Sequence, residues 1–199
     1  MRQQLAQAYR DLGQTLIQGS AGNISVRDEA GMLISPTRTT PQAITPGGII
    51  AMGLDAPVPG ASSEWALHAA LYQARPEFGA IVHTHSDHCT ALACLNEPLP
   101  AFHYMVLQFG GPDVRCAPYV TFGTPELATI SIAAMAGRTA CLLANHGMIA
   151  AGPDLDAAVA AAHLLEQLAR QYLLARAAGV PRILSAAECT AAQRRFTTY

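Results

Sequence analysis

The segment HTHSDH, residues 83 to 88, places three of the chain's seven histidines within six positions, directly behind the apolar run of FGAIV. Side chains two apart on a strand share a face, so His83 and His85 can present their imidazoles side by side while Thr84 turns away. Such a pair is a two-ligand clamp for a divalent ion. Imidazole nitrogen suits zinc and similar metals, and a catalytic site adds a third protein ligand and keeps a position open for substrate or water. His146, which ends another apolar run and precedes Gly147, is the best-placed third ligand. One histidine alone in such surroundings is more often a hydrogen-bonded packing residue; two at strand spacing favour the metal.

The same six residues fit the HxHxDH pattern of the metallo-β-lactamase superfamily, a class of metallohydrolases. That reading needs a further histidine, a bridging aspartate and a last histidine downstream. Only His103, His146 and His163 follow, and His163 falls in the middle of a long helical segment. His88 is therefore assigned a structural role on the outer face of the helix behind the clamp.

A second cluster has the chemistry of an anion site. Ser62, Ser63 and Glu64 open a helix, where backbone N–H groups without partners and serine hydroxyls favour a phosphate, although the same residues also serve as plain caps. Asn23 in AGNIS sits on a turn, and Thr37, Arg38 and Thr39 in SPTRTT form a hydroxyl-rich loop with one fixed positive charge. Together they supply several neutral donors and one cation to a phosphate dianion.

These residues need elements to hold them. MRQQLAQAYRDLGQTLIQ reads as an amphipathic helix, and GSAGNISVR and GMLISPT as two short strands. Residues 41 to 61 are a Pro- and Gly-rich loop with one short strand around IIAMGL. SSEWALHAALYQARPE is a helix with a serine cap that stops at Pro76. GAIVH is a buried strand, and SDHCTALACLN a helix that starts at Ser86 and Asp87. PYVTFGTPELATISIAAMAG gives a strand, a turn and a helix with Pro125 in its first turn. TACLLANHG is a buried strand ending in His146, and GMIAAG pairs near it. The last long helix runs from capping Asp154 to Gly179.

Composition narrows the function. A length of 199 residues suits one domain, residues 1–199. A net charge of −2 without a block of like charges lacks the footprint of a nucleic-acid binder. No stretch reaches membrane-spanning length and the amino terminus lacks a signal-peptide core, so a soluble, cytoplasmic protein acting on a small molecule is expected. The five cysteines, without a CxxC pair, read as buried thiols. All twelve basic residues are arginines, which excludes a mechanism built on a lysine imine.

GSAGNISVR, ISPT, SSEW, HAALYQARP, IVHTHSDHCTA, LNEPLPAFHYM, CAPYVTFGT and LLANHG occur in the order and at the spacing of one family. The chain resembles the class II aldolase and adducin-like family, and within it the branch that acts on L-fuculose 1-phosphate. The resemblance implies a single α/β domain of α/β/α layers, a central mainly antiparallel sheet flanked by helices, and a homotetramer with active sites between subunits. It implies one zinc per subunit on His83, His85 and His146. Glu64 would be the general base and would also reach the metal when substrate is absent. Asn23, Thr37, Ser62 and Ser63 fall on phosphate-binding positions. Tyr104 matches a tyrosine that enters the neighbouring subunit's site to protonate an aldehyde oxygen, and Tyr199 matches a lid residue. The implied reaction is cleavage of a ketose 1-phosphate, such as L-fuculose 1-phosphate, into dihydroxyacetone phosphate and L-lactaldehyde through a metal-stabilised enediolate.

Two positions depart from the family pattern. Arg38 stands where the phosphate loop usually has Gly, and Asn145 where the aldolase has a histidine. Within the same fold the alternatives are a pentulose-5-phosphate 4-epimerase, which places an aspartate where Glu64 stands, and a decarboxylase or dehydratase. Outside it they are the dinuclear hydrolase and a metal-free adducin-like interaction module.

Overall fold

The computed structural model describes residues 1–196 and Thr198; Tyr199, the expected lid residue, lies outside the described residues. The first helix, α1 (Arg2–Leu12), buries Leu5, Ala6, Tyr9 and Leu12 along one stripe, as its amphipathic pattern requires. The chain then forms β1 (Gly22–Asp28) and β2 (Gly31–Ile34), passes through a loop with a 3-10 turn at Pro46–Gly48, and adds β3 (Ile50–Met52). Next come α2 (Trp65–Ala74), β4 (Ala80–Thr84) and α3 (Asp87–Cys94). A small ribbon of β5 (Leu99–Pro100) and β6 (Asp113–Val114) brackets a 3-10 helix, Tyr104–Phe109. The rest is β7 (Cys116–Ala117), α4 (Pro125–Ala134), β8 (Ala140–Leu143), β9 (Gly147–Gly152), α5 (Leu155–Ala178) and α6 (Ala186–Phe196).

The main sheet has the order β3-β2-β1-β4-β9-β8-β7, antiparallel except for the β7–β8 pair. The expected α/β fold with a mainly antiparallel central sheet is the one observed. Strand alternation sends Ile24, Val26, Val82, Leu142 and Met148 to one face, under α1, α3 and α5. Met32, Ile34, Ile81, Cys141 and Ile149 go to the other, under α2 and α4. The central strands β4 and β9 are buried along their whole length, which explains why GAIV and GMIAA read as unbroken apolar runs. Helix α5 crosses this sheet with Asp154 accepting the Ala157 N–H at 2.8 Å as its cap and Gly179 at its end, as expected.

Several local expectations change. The strand foreseen in PYVTF (118–122) does not form; the strand there, β7, is Cys116–Ala117, just ahead of it, and ends because Pro118 has no N–H for the ladder and the chain leaves the sheet. The cap of α2 is Glu64, without a side-chain cap bond; Ser62 Oγ instead accepts the Glu64 N–H at 3.3 Å. His146 lies past the end of β8, in the β8–β9 turn, where Asn145 adopts φ 54°. Of the cysteines, Cys89, Cys141 and Cys189 are buried but Cys94 is exposed, and all five are free. Helix α6 and the 3-10 helix were not foreseen; they pack on each other through Leu107 and Cys189.

Candidate metal and anion site

The candidate residues meet at one end of the sheet. In the β1–β4 register Asn23 lies opposite His83, and β9 places Ile149 on the other side of His83. His85 stands one residue beyond β4, on the same side as His83, so the strand-spacing argument holds past the strand's last pair. His146 arrives from the β8–β9 turn. Gly147 permits the approach, since a Cβ there would come within 2.4 Å of the Thr84 carbonyl oxygen and 3.0 Å of the His85 ring.

The three imidazoles form a cluster with ring centroids 4.7 to 4.9 Å apart. Their ligand nitrogens lie within 4.8 Å of one another. The buried His83 donates from Nδ1 to the Met148 carbonyl at 2.9 Å, which leaves Nε2 facing the cluster. That Nε2 is 3.0 Å from His85 Nε2 and 3.1 Å from Glu64 Oε2. Glu64 Oε1 lies 3.4 Å from His146 Nε2 and is buried without a hydrogen-bond partner.

This arrangement calls for positive charge at its centre. Two imidazole lone pairs 3.0 Å apart repel unless a proton or a cation sits between them, and a buried carboxylate oxygen without a donor carries a desolvation cost. Burial pushes the His83 ring down, but the charge and hydrogen bond of Glu64 and the Met148 carbonyl outweigh it and raise its pKa. Burial likewise pushes the Glu64 carboxyl up, yet His83, His146 and the Asn23 amide hold it well below the usual carboxylate range. Burial, reinforced by neighbouring histidine charge, brings His85 and His146 down to about 4, so both are neutral and able to bind a metal near pH 7. Three imidazole nitrogens and an orphan carboxylate oxygen are a donor set that fits a divalent ion of the zinc type.

Beside the histidines opens a cavity of about 240 Å³. Its lining includes Asn23, Thr37, Arg38, Ser62, Ser63 and Glu64, together with His85 and His146. Loop pairing assembles this wall: Pro36 bridges Ala61, Thr37 N–H bonds Gly60 O at 2.9 Å, and Ser62 N–H bonds Ser35 O at 3.2 Å. Arg38 adopts φ 55°, in the left-handed region where glycine is at ease. Arg38 thus holds a backbone conformation that favours glycine.

Tyr104 is elsewhere. It is half exposed and stacks between His103 and Phe196, away from the cavity of its own chain. Asp87 accepts from Gln18 at 3.3 Å and His88 pairs with Glu166 at 2.7 Å, so neither joins the three histidines. The dinuclear hydrolase reading loses two of its ligands to these contacts. Sequence reasoning missed Phe122, which lines the cavity, and His68, which touches Asn23 from behind at 2.5 Å. The signal for His68 was its place four residues after Glu64, on the same helical face.

The family described as Class II Aldolase and Adducin N-terminal domain matches residues 3–173. The chain belongs to the class II aldolase and adducin family. It is 46% identical over 187 residues to a 5-methylthioribulose-1-phosphate/5-deoxyribulose-1-phosphate aldolase of Rhodospirillum rubrum, covering 92% of this chain and 85% of the relative. It is 44% identical over 190 residues to an L-fuculose phosphate aldolase of Escherichia coli O6:H1, covering 92% and 87%. A solved L-fuculose 1-phosphate aldolase superposes with a TM-score of 0.93 at 38% identity, covering 98% of this chain and 95% of that one. This member of the family is thus an enzyme of the lyase class, a class II aldolase, with a three-histidine group able to hold a metal. No described helix is long and apolar enough to cross a membrane.

Proposed function

We propose that this chain cleaves and forms a ketose 1-phosphate, with dihydroxyacetone phosphate as one product and a short aldehyde as the other, and that residues 1–199 act as one domain. The observation that carries the reading is the buried Glu64 carboxylate, set between the His83 and His146 nitrogens and opening onto a cavity rich in hydroxyl, amide and guanidinium donors. Zinc, held by His83, His85 and His146 with Glu64 as a further donor, would supply Lewis acidity to the substrate oxygens beside the reacting bond.

The protein's own groups do the rest. Asn23, Thr37, Ser62, Ser63 and Arg38 hold the phosphate, four neutral side chains and one cation facing a dianion. In the condensing direction Glu64 takes a proton from the hydroxymethyl carbon of dihydroxyacetone phosphate. The electron pair left on that carbon attacks the aldehyde carbon. Tyr104 of the partner subunit gives its proton to the aldehyde oxygen, which becomes the new hydroxyl. This last assignment rests on a homotetramer with shared sites, and the exposure of Tyr104 away from its own cavity supports it. A cytoplasmic location suits five free thiols and a phosphorylated substrate.

The relatives' names point to two kinds of ketose, and their cleavage gives L-lactaldehyde in one case and acetaldehyde or methylthioacetaldehyde in the other. Each aldehyde carries an apolar end, and the exposed Phe122 ring offers it an apolar wall at the cavity. The test is to incubate the metal-loaded protein with dihydroxyacetone phosphate and each aldehyde and to follow ketose phosphate. Turnover of at least one supports the reading and the ratio identifies the substrate. No product from any of the three, with metal bound, refutes it, and conversion of a pentulose 5-phosphate instead would establish the epimerase. Metal content separates the other classes: about one ion per chain fits the aldolase, about two the hydrolase, and none the interaction module.

A further inference from the structure

Behind Asn23 runs a buried polar chain whose inner members, Tyr72, Ser25 and His68, lie outside the cavity lining and the histidine cluster. Tyr72 Oη lies 2.8 Å from Ser25 Oγ, which lies 2.6 Å from His68 Nδ1. His68 Nε2 lies 2.5 Å from Asn23 Oδ1, and Asn23 Nδ2 lies 2.9 Å from Glu64 Oε2. The His68 ring is fully buried, as are Ser25 and, nearly so, Tyr72. Polar atoms with so little water around them keep these partners or pay a desolvation cost.

The direction of every bond in the chain follows from its last member. A carboxylate only accepts, so Asn23 must present its nitrogen to Glu64 and its oxygen to His68. His68 must then donate from Nε2, which leaves Nδ1 as an acceptor. Ser25 donates to it, and Tyr72 donates to Ser25. The reverse tautomer of His68 would turn the Asn23 amide and set its oxygen against the Glu64 oxygen. Burial, together with the charge of His83, brings the His68 ring down to about 3, so it stays in the neutral form that has one donor and one acceptor.

We infer that His68 is a positioning residue: through its Nε2–H it locks the Asn23 amide in the one orientation that points both N–H groups at Glu64 and the anion cavity. One of those N–H groups holds Glu64 Oε2. The other has no protein partner among the described residues and is available to a phosphate or substrate oxygen, since Asn23 lines the cavity. Without His68 the Asn23 oxygen loses its donor and Glu64 alone holds the amide, so the turned form, which offers the anion an oxygen, becomes easier to reach. The sequence carries this device as Asn23 and Ser25 two apart on β1, and Glu64 and His68 four apart at the start of α2.

The inference rests on the proposed phosphate role of Asn23, and its test does not need aldol turnover. In the metal-loaded wild type, long-range ¹⁵N–¹H correlation of the histidine rings should show His68 protonated at Nε2; an Nδ1–H tautomer overturns the proposal even if every substitution disturbs folding. Affinity for inorganic phosphate, measured by titration without aldehyde, should fall about tenfold in His68→Leu, the loss of one hydrogen bond to a charged group. KM for dihydroxyacetone phosphate should rise in parallel with metal content unchanged. His68→Gln, which retains an N–H for Asn23, should recover most of the affinity. The His68→Leu/Asn23→Ala double variant should bind phosphate no more weakly than Asn23→Ala alone, because both act through one amide. Phosphate affinity within about twofold of wild type in His68→Leu, or a loss that adds in full to that of Asn23→Ala, overturns it. A wild type that binds phosphate but converts no aldehyde refutes the aldolase reading and leaves these results standing.

Discussion

The two walls of the cavity are held by different means. On the histidine wall, His83, Asn23 and Glu64 are 0%, 5% and 7% exposed, and each is fixed by hydrogen bonds to backbone or buried side chains. On the opposite wall Thr37, Arg38 and Ser63 are exposed and ride on two loops clipped together by backbone bonds. The contrast suits the task proposed for each wall. A metal and a moving proton demand donors placed to a few tenths of an ångström, which strands and buried networks provide. A phosphate dianion is large and accepts donors from many directions, so its wall tolerates change. The arginine at position 38 is such a change.

The comparison breaks first if the histidine wall can be damaged cheaply. His146→Ala removes a largely buried proposed ligand from a turn, and metal should be lost on dialysis with activity falling to background; metal content by atomic emission decides it. Glu64→Gln should keep the metal but lower proton exchange at dihydroxyacetone phosphate by about a thousandfold, in the range of a lost general base. Unchanged exchange would remove Glu64 from that role.

A pH experiment probes the same wall through stability. His68 at about 3, and His85 and His146 at about 4, all titrate below the value of 6.5 expected in an unfolded chain. Below pH 6.5 the unfolded chain binds protons that the folded one refuses, so stability falls as the pH drops toward 4. His83 works in the opposite sense. Its raised pKa contributes stability that is fully present below 6.5 and is lost as pH rises through the folded value. For His68 alone the loss at pH 5 is about 2 kcal/mol, or roughly 4 to 8 °C in the thermal midpoint of the metal-stripped protein. A midpoint that holds steady or rises between pH 6.5 and 5 would contradict the neutral rings.

The loop wall should respond more gently. Arg38→Gly should weaken phosphate binding about tenfold by removing the cation, while stabilising the fold by about 1 kcal/mol because glycine relaxes the left-handed backbone. Opposite signs in a phosphate titration and a denaturation curve are the signature. Ser63→Ala, which removes one exposed hydroxyl, should cost about threefold in phosphate affinity and leave the metal untouched. If Ser63→Ala proved as damaging as Glu64→Gln, the contrast between the walls would fail.

Much of the histidine wall was legible because strand geometry acts over two residues. The HxH spacing announced a shared face, and the clamp survives although His85 lies just beyond β4. The long helix α5 was legible from its cap and its terminal glycine, both local signals. Where expectation and structure part, a nonlocal effect had intervened. No strand formed in PYVTF because the ladder stops at Pro118, whose lack of an N–H matters only in a sheet order that local sequence does not reveal. Helix α6 escaped notice because its buried anchor is a single cysteine, Cys189, packed on the 3-10 helix more than 70 residues earlier. His68 looked like one more helix residue until β1 brought Asn23 and Ser25 against it.

Residue types, their short spacings and the absence of lysine were enough to suggest the proposed chemistry: imidazoles for a metal, hydroxyls and one arginine for a phosphate, a carboxylate for a proton. These are properties of side chains and of periods of two and four residues. The tertiary structure alone decided that Asn23 lies opposite His83, that the Pro36 loop clips to Ala61, and that Glu64 enters the histidine cluster with one oxygen unpartnered. Such convergence depends on strand register and helix packing between segments tens of residues apart, where burial sets the register and no local pattern encodes it.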